Sequence, residues 1–431
     1  MRGRERSRSL ISLARLHPAN AIPSIATLIL LTVLMMPSAQ AQTFTVLHSL
    51  NGLQDGYYPI AGVTIAPNGD LYGTTEYMGL SGGNCYLGCG TVFRLARKGS
   101  GWIFTTLYSF TGGTDGGNSF ARVIFGPDGS LCGTTSEGDG TVFNLKPPPH
   151  ATANVLGGWT ETVLYSFTGG ADGAIPEGAD LVFDHAGNLY GTTAGGGTGN
   201  CQGGCGTVYK LTPSNGGWTE SVIHTFTTQG EDGQRPWGGV IFDQSGDLYG
   251  TTQNGGAYRA YGTIYKLIPA GLTWTEQILY SFQGKDDGEF PYSGVIFDQV
   301  GNLYGSTCCG GSDGVGTVYE FTPSSGTLTT LYSNFGGYGG LDGSLVMDAA
   351  GNLYGTTQSG GAYNFGSVFK LTPGSGGWTY TSLHDFCAGG YPCSDGALPH
   401  GGVALDPQGN LYGTTAEGGT SSSGVIWEFT P

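Results

Sequence analysis

The residues of this sequence that could do chemistry stand one position after a recurring proline. An Asp-Gly-x-x-Pro motif begins at Asp55, Asp172, Asp232, Asp287 and Asp395, and Asp115 keeps the Asp-Gly with Ser119 in place of proline. The next residue differs in every copy, reading Ile60, Phe120, Glu177, Trp237, Tyr292 and His400, with Asp342 nearby in a shortened copy. Aromatic rings stack on sugar rings, and carboxylates or imidazoles bond to hydroxyls. We therefore predict that Glu177, Trp237, Tyr292 and His400 line a binding cleft, with ordinary variation at half-exposed sites as the alternative.

Two further side chains, Tyr258 and Arg259, belong to a connection of variable length, where binding residues are often found. We add them to the candidate ligand-binding set. For catalysis, Glu177 with His400 is the nearest approach to an acid and base pair. No Ser-His-Asp arrangement or nucleophile elbow is visible, so we predict no catalytic residues.

Histidines and acidic turns also raise the question of a metal. His48, His224 and His384 stand where other copies place Tyr108, Tyr165, Tyr280 and Tyr332. We interpret them as tyrosine substitutes in separate repeats and predict no metal ligands and no cofactor. The Asp-x-x-Gly-Asn/Asp segments are oxygen-rich, which keeps calcium open, but they lack the further acidic ligands of an EF-hand and are typical of hairpin turns.

The chain has nine cysteines. Two C-x3-C pairs occupy equivalent places in different repeats, and a third pair is six residues apart; we predict the disulfides Cys85–Cys89, Cys201–Cys205 and Cys387–Cys393. A four-thiolate zinc site would require the first two pairs to be adjacent. A vicinal bridge between Cys308 and Cys309 is left open, and Cys132 is expected to be buried.

The N-terminal residues 1–41 are typical of an export signal. Five arginines precede an apolar run from Ser24 to Met36, and Ala39-Gln40-Ala41 offers a cleavage site. Without these residues the formal charge changes from −16 to −20, because five arginines and one glutamate are removed. Such an acidic chain should bind neither nucleic acid nor anionic lipid. We predict a secreted or periplasmic monomer without membrane insertion after cleavage.

A seven-fold repeat must position these residues. Stretches close to Leu-Tyr-Gly-Thr-Thr begin at Leu71, Leu131, Leu189, Leu248, Leu303, Leu353 and Leu411. Each unit holds four β-rich runs, which we name a to d in chain order, with Leu-Tyr-Gly-Thr-Thr as strand b. We expect the glycine of strand b to let neighbouring units approach closely.

Four-stranded units of this length favour an all-β, seven-bladed β-propeller over residues 42–431. The last unit ends with strand c at Pro431, and residues 43–50 match strand d without a unit of their own. The N-terminal strand should therefore complete the last blade and close the ring.

The repeats also resemble a known family. Tyr165 to Gly173, Gly187 to Thr193 and Gly206 to Pro213 look like the GloVer tandem repeat of exported bacterial proteins, and the resemblance covers almost all of residues 42–431. It implies architecture and location and supplies no catalytic residues. Members carry various C-terminal anchors and none follows the last repeat here, which leaves surface attachment open.

Three functions fit these observations. The first is a secreted module that binds a glycan or an envelope protein. The second is an enzyme of the lyase, lactonase or glycan-cleaving type, and the third is a purely structural surface protein. Because propellers host many functions, the fold alone does not decide among them.

Overall fold

A computed structural model describes residues 42–79, 84–148, 158–178, 180–336 and 340–431. The predicted signal segment, residues 1–41, lies outside them. Residues Thr43–Thr430 form one compact unit with seven four-stranded sheets. In the described part of the chain no helix is long and apolar enough to span a membrane. The all-β, seven-bladed propeller predicted from the repeats is confirmed.

Strands a and b form the inner half of each blade. Strand a lies nearest the ring axis: β2 (Val63–Ile65), β6 (Ile124–Phe125), β10 (Val182–Phe183), β15 (Ile241–Phe242), β20 (Ile296–Phe297), β24 (Val346–Met347) and β28 (Ala404–Leu405). Strand b is buried along its whole length in every blade: β3 (Leu71–Thr75), β7 (Leu131–Thr135), β11 (Leu189–Thr193), β16 (Leu248–Thr252), β21 (Leu303–Thr307), β25 (Leu353–Thr357) and β29 (Leu411–Thr415). The Leu-Tyr-Gly-Thr-Thr repeat is thus the buried centre of each blade.

Strands c and d complete the blades toward the outside. Strand c comprises β4 (Thr91–Lys98), β8 (Thr141–Lys146), β12 (Thr207–Ser214), β18 (Thr263–Ala270), β22 (Thr317–Thr322), β26 (Ser367–Gly374) and β30 (Val425–Thr430). Strand d comprises β5 (Gly101–Ser109), β9 (Thr160–Ser166), β13 (Gly217–Thr225), β19 (Thr273–Ser281), β23 (Thr327–Tyr332), β27 (Gly377–Asp385) and, for the last blade, β1 (Thr43–Ser49). A short extra pair, β14 (Gly233–Gln234) with β17 (Asn254–Gly255), joins two connections near the fourth blade.

Strand β1, the first strand of the described residues, closes the ring. β1 pairs antiparallel with β30, from Thr43 opposite Thr430 to Ser49 opposite Val425. The resulting sheet has the order β1-β30-β29-β28, so the last blade takes its outermost strand from residues that precede the first blade in the sequence. This is the closure that the sequence predicts.

The glycine of strand b makes room for an aromatic ring of its own blade. Gly250 lies opposite Tyr265 in the register of β16 and β18, and a Cβ at Gly250 would lie 2.5 Å from the Tyr265 hydroxyl. The same pairing places Phe93 over Gly73 and Trp427 over Gly413. The expectation that this glycine admits a neighbouring blade was therefore wrong, because the crowding atoms come mainly from strand c of the same sheet.

The two threonines of strand b have separate tasks. The first bonds to the connection that leads into strand a of the next blade, as in Thr251 Oγ1 donating to the Ser293 carbonyl at 2.8 Å and Thr192 Oγ1 to the Gly238 carbonyl at 3.2 Å. The second joins strand b to strand c, as in Thr252 and Thr263, whose hydroxyls lie 2.8 Å apart. The first threonine thus links neighbouring blades, and the second links two strands within one blade.

Three disulfides fasten the connecting loops, Cys85–Cys89, Cys201–Cys205 and Cys387–Cys393. They are the three pairs predicted from the spacing. Cys308 and Cys309 are free thiols, so the vicinal bridge that the sequence left open is not present, and Cys132 is free and buried.

Candidate functional site

A cavity of about 680 Å³ opens at the ring axis. Its wall is built from the d–a connections and from the residues that follow strand b, so it lies on one face of the propeller. The variable residue of the motif lines it in five repeats, as Ile60, Phe120, Trp237, Tyr292 and His400, together with Asp342. Three of the four residues predicted to line a binding cleft therefore share one cavity wall.

Two aromatic side chains form one side of the cavity. The rings of Trp237 and Tyr292 meet edge to face, with centroids 5.7 Å apart and planes at 83°. Both side chains are only half-buried, so their faces remain available to a ligand. Such an apolar wall suits the less polar face of a sugar ring.

His400 is held on another side of the cavity. Its Nε2 lies 2.9 Å from the Gln358 amide nitrogen, and its Nδ1 lies 3.6 Å from a carboxylate oxygen of Asp342. The Tyr58 ring is 6.0 Å from the imidazole, centroid to centroid. These neighbours fix the orientation of the imidazole and surround it with groups that can bond to hydroxyls.

Glu177 is displaced from the ring that it was predicted to join. It is not among the residues that line the cavity, although its charge acts on Glu76, which does line it. Burial raises the pKa of Glu76 to about 7, and the negative charge of Glu177 adds to that rise. One extra residue separates Pro176 from the following strand a, which shifts Glu177 relative to its counterparts.

Tyr258 and Arg259 lie away from this site. Both are exposed in the connection after strand b of the fourth blade, Tyr258 by 54 %, and neither contributes to the cavity wall. Variable loop length indicates that a loop is unconstrained at the surface. It does not indicate that the loop lies near the ring axis. The structure thus brings together Trp237, Tyr292 and His400 and separates these two from them.

An ion pair at the axis was missed by the sequence reasoning. Arg122 and Asp180, in the second and third blades, bond through the guanidinium Nε at 2.9 Å and through a second, shorter contact. Asp180 holds the pKa of Arg122 above its usual value. The corresponding residues in four other blades are Gly62, Gly239, Gly294 and Gly402, so a break in a glycine column was the available signal.

The tyrosine substitutes behave as expected in two blades. His48 Nε2 lies 2.9 Å from Asp55, and His384 Nε2 lies 3.0 Å from Asp395. The tyrosines at this position donate to the same turn aspartate, as Tyr165 does to Asp172 at 2.9 Å. The turn aspartates Asp55, Asp172 and Asp395 therefore bond to the strand d that precedes them, and none of the three lines the cavity.

Comparison with known proteins identifies the repeat and the fold. The chain matches the Gloeobacter/Verrucomicrobia repeat over residues 32–203 and 180–427. No curated protein matches it. Two solved structures of the extracellular domain of a B. thetaiotaomicron protein, described respectively as a one component and a hybrid two component system, are similar in fold.

Their likeness is structural and distant. Both are 10 % identical to this chain; the TM-scores are 0.52 and 0.53, and the matches cover 90 % and 89 % of this chain. The chain spans only 40 % and 39 % of those longer domains. They support the propeller architecture and no activity.

Proposed function

We propose that this chain, which belongs to the Gloeobacter/Verrucomicrobia repeat family, is a binding module that acts outside the cytoplasm and recognises a glycan of the cell envelope or its surroundings. The observation that carries the proposal is the convergence on one cavity of residues that vary inside an otherwise fixed motif. The packing of seven similar blades does not require these residues to differ from one another. Variation that gathers a tryptophan, a tyrosine, a histidine and an acid at one mouth is typical of a ligand site.

The chemistry of the wall fits a carbohydrate. Trp237 and Tyr292 offer ring faces, whereas Asp342, His400, Gln358 and the Arg122–Asp180 pair offer donors and acceptors for hydroxyls. A volume of about 680 Å³ is large enough for a short oligosaccharide, since drug-sized ligands occupy ~300–1,000 Å³. The net charge of −16 disfavours anionic ligands such as nucleic acid, which supports a neutral or cationic glycan.

Location outside the cytoplasm is supported by three observations. The three disulfides persist in oxidising compartments. The N-terminal sequence is typical of an export signal, and family members are exported. The protein would then meet glycans or envelope proteins as a monomer, without inserting into a membrane, and calcium would not be needed for the cavity to bind.

A glycan array with the purified protein, run with and without calcium and EDTA, tests the proposal. We expect saturable binding that Trp237→Ala weakens by about tenfold or more, since a buried stacking contact contributes ~0.5–1.5 kcal/mol beyond its area. Tyr258→Ala is the matched control, because this aromatic residue is exposed outside the cavity. Equal loss in both variants, or loss only in the control, would move the site to the outer loops.

An enzyme that cleaves a glycan is the second candidate, and Glu76 favours it. This carboxyl lines the cavity with a pKa raised by burial to about 7, the range in which a general acid works near neutral pH. A silent array combined with turnover of a polysaccharide that Glu76→Gln abolishes would replace binding by catalysis. A purely structural role would leave both assays silent.

A further inference from the structure

The outer parts of the blade junctions follow a common plan. A tyrosine or histidine near the end of strand d faces strand d of the next blade. In three junctions the facing residue is aromatic and the two rings stack: His48 on Phe104 at 4.3 Å, His384 on Phe44 at 3.6 Å and Tyr332 on Tyr380 at 4.7 Å. In others the facing residue is a glutamate, as with Tyr108 and Glu161 or Tyr165 and Glu220.

The junction between the third and fourth blades differs from these. His224 of β13 faces Glu276 of β19, so a histidine meets a glutamate beside the turn aspartate Asp232. Its Nε2 lies 3.4 Å from a Glu276 oxygen and 3.7 Å from an Asp232 oxygen. Within the described residues, this is the one group of three such side chains whose ligand atoms lie within 4.8 Å of one another.

The three facing atoms are buried and have no hydrogen-bond partner. They are His224 Nε2, Asp232 Oδ1 and Glu276 Oε1. The other oxygen of Asp232 accepts from the Thr227 amide at 2.7 Å and from its hydroxyl at 2.9 Å, which fixes the carboxylate and directs Oδ1 to the histidine. Buried polar atoms without partners are costly, so a ligand that satisfied all three atoms at once would be favoured here.

We propose that His224, Asp232 and Glu276 bind a divalent first-row transition metal ion, with Zn²⁺ as the representative. Bonds of ~2.1 Å in a tetrahedral zinc site imply ligand atoms about 3.4 Å apart. The distances of 3.4 and 3.7 Å from the imidazole fit two sides of such a triangle, and the two carboxylate oxygens lie within 4.8 Å of each other. One imidazole with two carboxylates selects a metal of this class, because Ca²⁺ and Mg²⁺ are bound through oxygen alone.

The electrostatics also favour a cation at this point. The carboxylates of Asp232 and Glu276 stand close together in a half-buried place, with ligand oxygens within 4.8 Å of each other, so their negative charges repel. A metal ion would relieve that repulsion and leave the fourth coordination position to water, since the three side chains keep exposures of 17 %, 12 % and 17 %. Because the ligands come from two blades, the ion would cross-link the third blade to the fourth.

Zinc titration of the purified, chelator-treated protein tests the site by calorimetry and thermal unfolding. We expect one zinc ion per chain and a higher unfolding midpoint with zinc, whereas calcium has no effect. His224→Tyr should weaken zinc binding by about 100-fold or more, since loss of a direct ligand exceeds the 10–100-fold typical of outer partners. This variant gains the tyrosine that bonds to the turn aspartate in the first, second and fourth blades, so it should fold.

His384→Tyr is the matched control, because it makes the same change in a junction where phenylalanine replaces glutamate. It should keep the zinc affinity of the unaltered protein. Glu276→Gln provides a second variant with nearly unchanged shape, and it should also lose zinc. Absence of zinc binding, or equal binding before and after His224→Tyr and Glu276→Gln, would overturn the proposal and assign the cluster to a proton shared among the three side chains.

Discussion

Strand b and the residue after the proline recur from repeat to repeat. The sequence of strand b is almost constant, whereas the residue type after the proline varies freely. Each strand b residue is buried, with contacts in its own sheet and in the neighbouring blade. The residues after the prolines touch neighbours on one side and open space on the other. Contact on all sides dictates residue type, whereas a cavity leaves the choice to whatever occupies it.

The glycine of strand b offers the strongest test of this contrast. Gly250→Ala would place a methyl group 2.5 Å from the Tyr265 hydroxyl, whose ring is fully buried. We expect a loss of about 3 kcal/mol in the free energy of unfolding, at the upper end of the range for overpacking. Chemical denaturation measures it. Gly376→Ala, at a hairpin glycine with no atom within 4 Å of the added carbon, should change stability by less than ~0.5 kcal/mol.

The Arg122–Asp180 ion pair tests the variable residues at the ring axis. Arg122→Gly should cost about 2 kcal/mol, below the ~3–5 kcal/mol of a fully buried pair, because the two side chains remain 23 % and 29 % exposed. The double variant Arg122→Gly/Asp180→Gly should lose less than the sum of the single changes, since it leaves no unpaired charge. A double-mutant cycle in denaturant measures the coupling, and additive losses would show that the pair contributes nothing to the frame.

The smallest expected effect concerns the aromatic side chain of strand c that packs over the strand b glycine. The hydroxyls of Tyr209, Tyr265 and Tyr319 are buried without a partner, whereas the first, second and sixth blades carry Phe93, Phe143 and Phe369 at this position. Tyr265→Phe should therefore raise the free energy of unfolding by about 1 kcal/mol, the lower end of the penalty for an unsatisfied group. A lower thermal midpoint instead would mean that a water molecule satisfies the hydroxyl.

The fold could be predicted because the sequence repeats the pattern of one blade seven times. Seven copies of one pattern fix strand order and length, and residues 43–50 matched a strand that the last copy lacked. The role of the strand b glycine could not be predicted, since cross-strand register decides what lies over it. Only the pairing of Gly250 with Tyr265 shows that the crowding ring belongs to the same blade.

Part of the candidate site could be predicted because the repeats also mark the positions that vary. Trp237, Tyr292 and His400 were identified because their positions vary inside a fixed motif, and the ring geometry carries such positions to the axis. Arg122 and Asp180 were missed because one extra residue in the third blade hides their equivalence in the sequence. The grouping of His224 with Glu276 depends on which strands face each other across a junction, which no local pattern reveals.

The pairing of β1 with β30 has a consequence for how the protein forms. Thr43 and Thr430 are separated by almost the whole described part of the chain, so their contact closes a very long loop. Six blades can form from contiguous segments, but the seventh needs both β1 and β30, which are separated by all the other blades. Because contacts of such sequence separation form slowly, ring closure should be the last and rate-limiting event of folding. Until that moment β30 presents an unpaired edge, and the growing protein is at its most vulnerable to association with other chains.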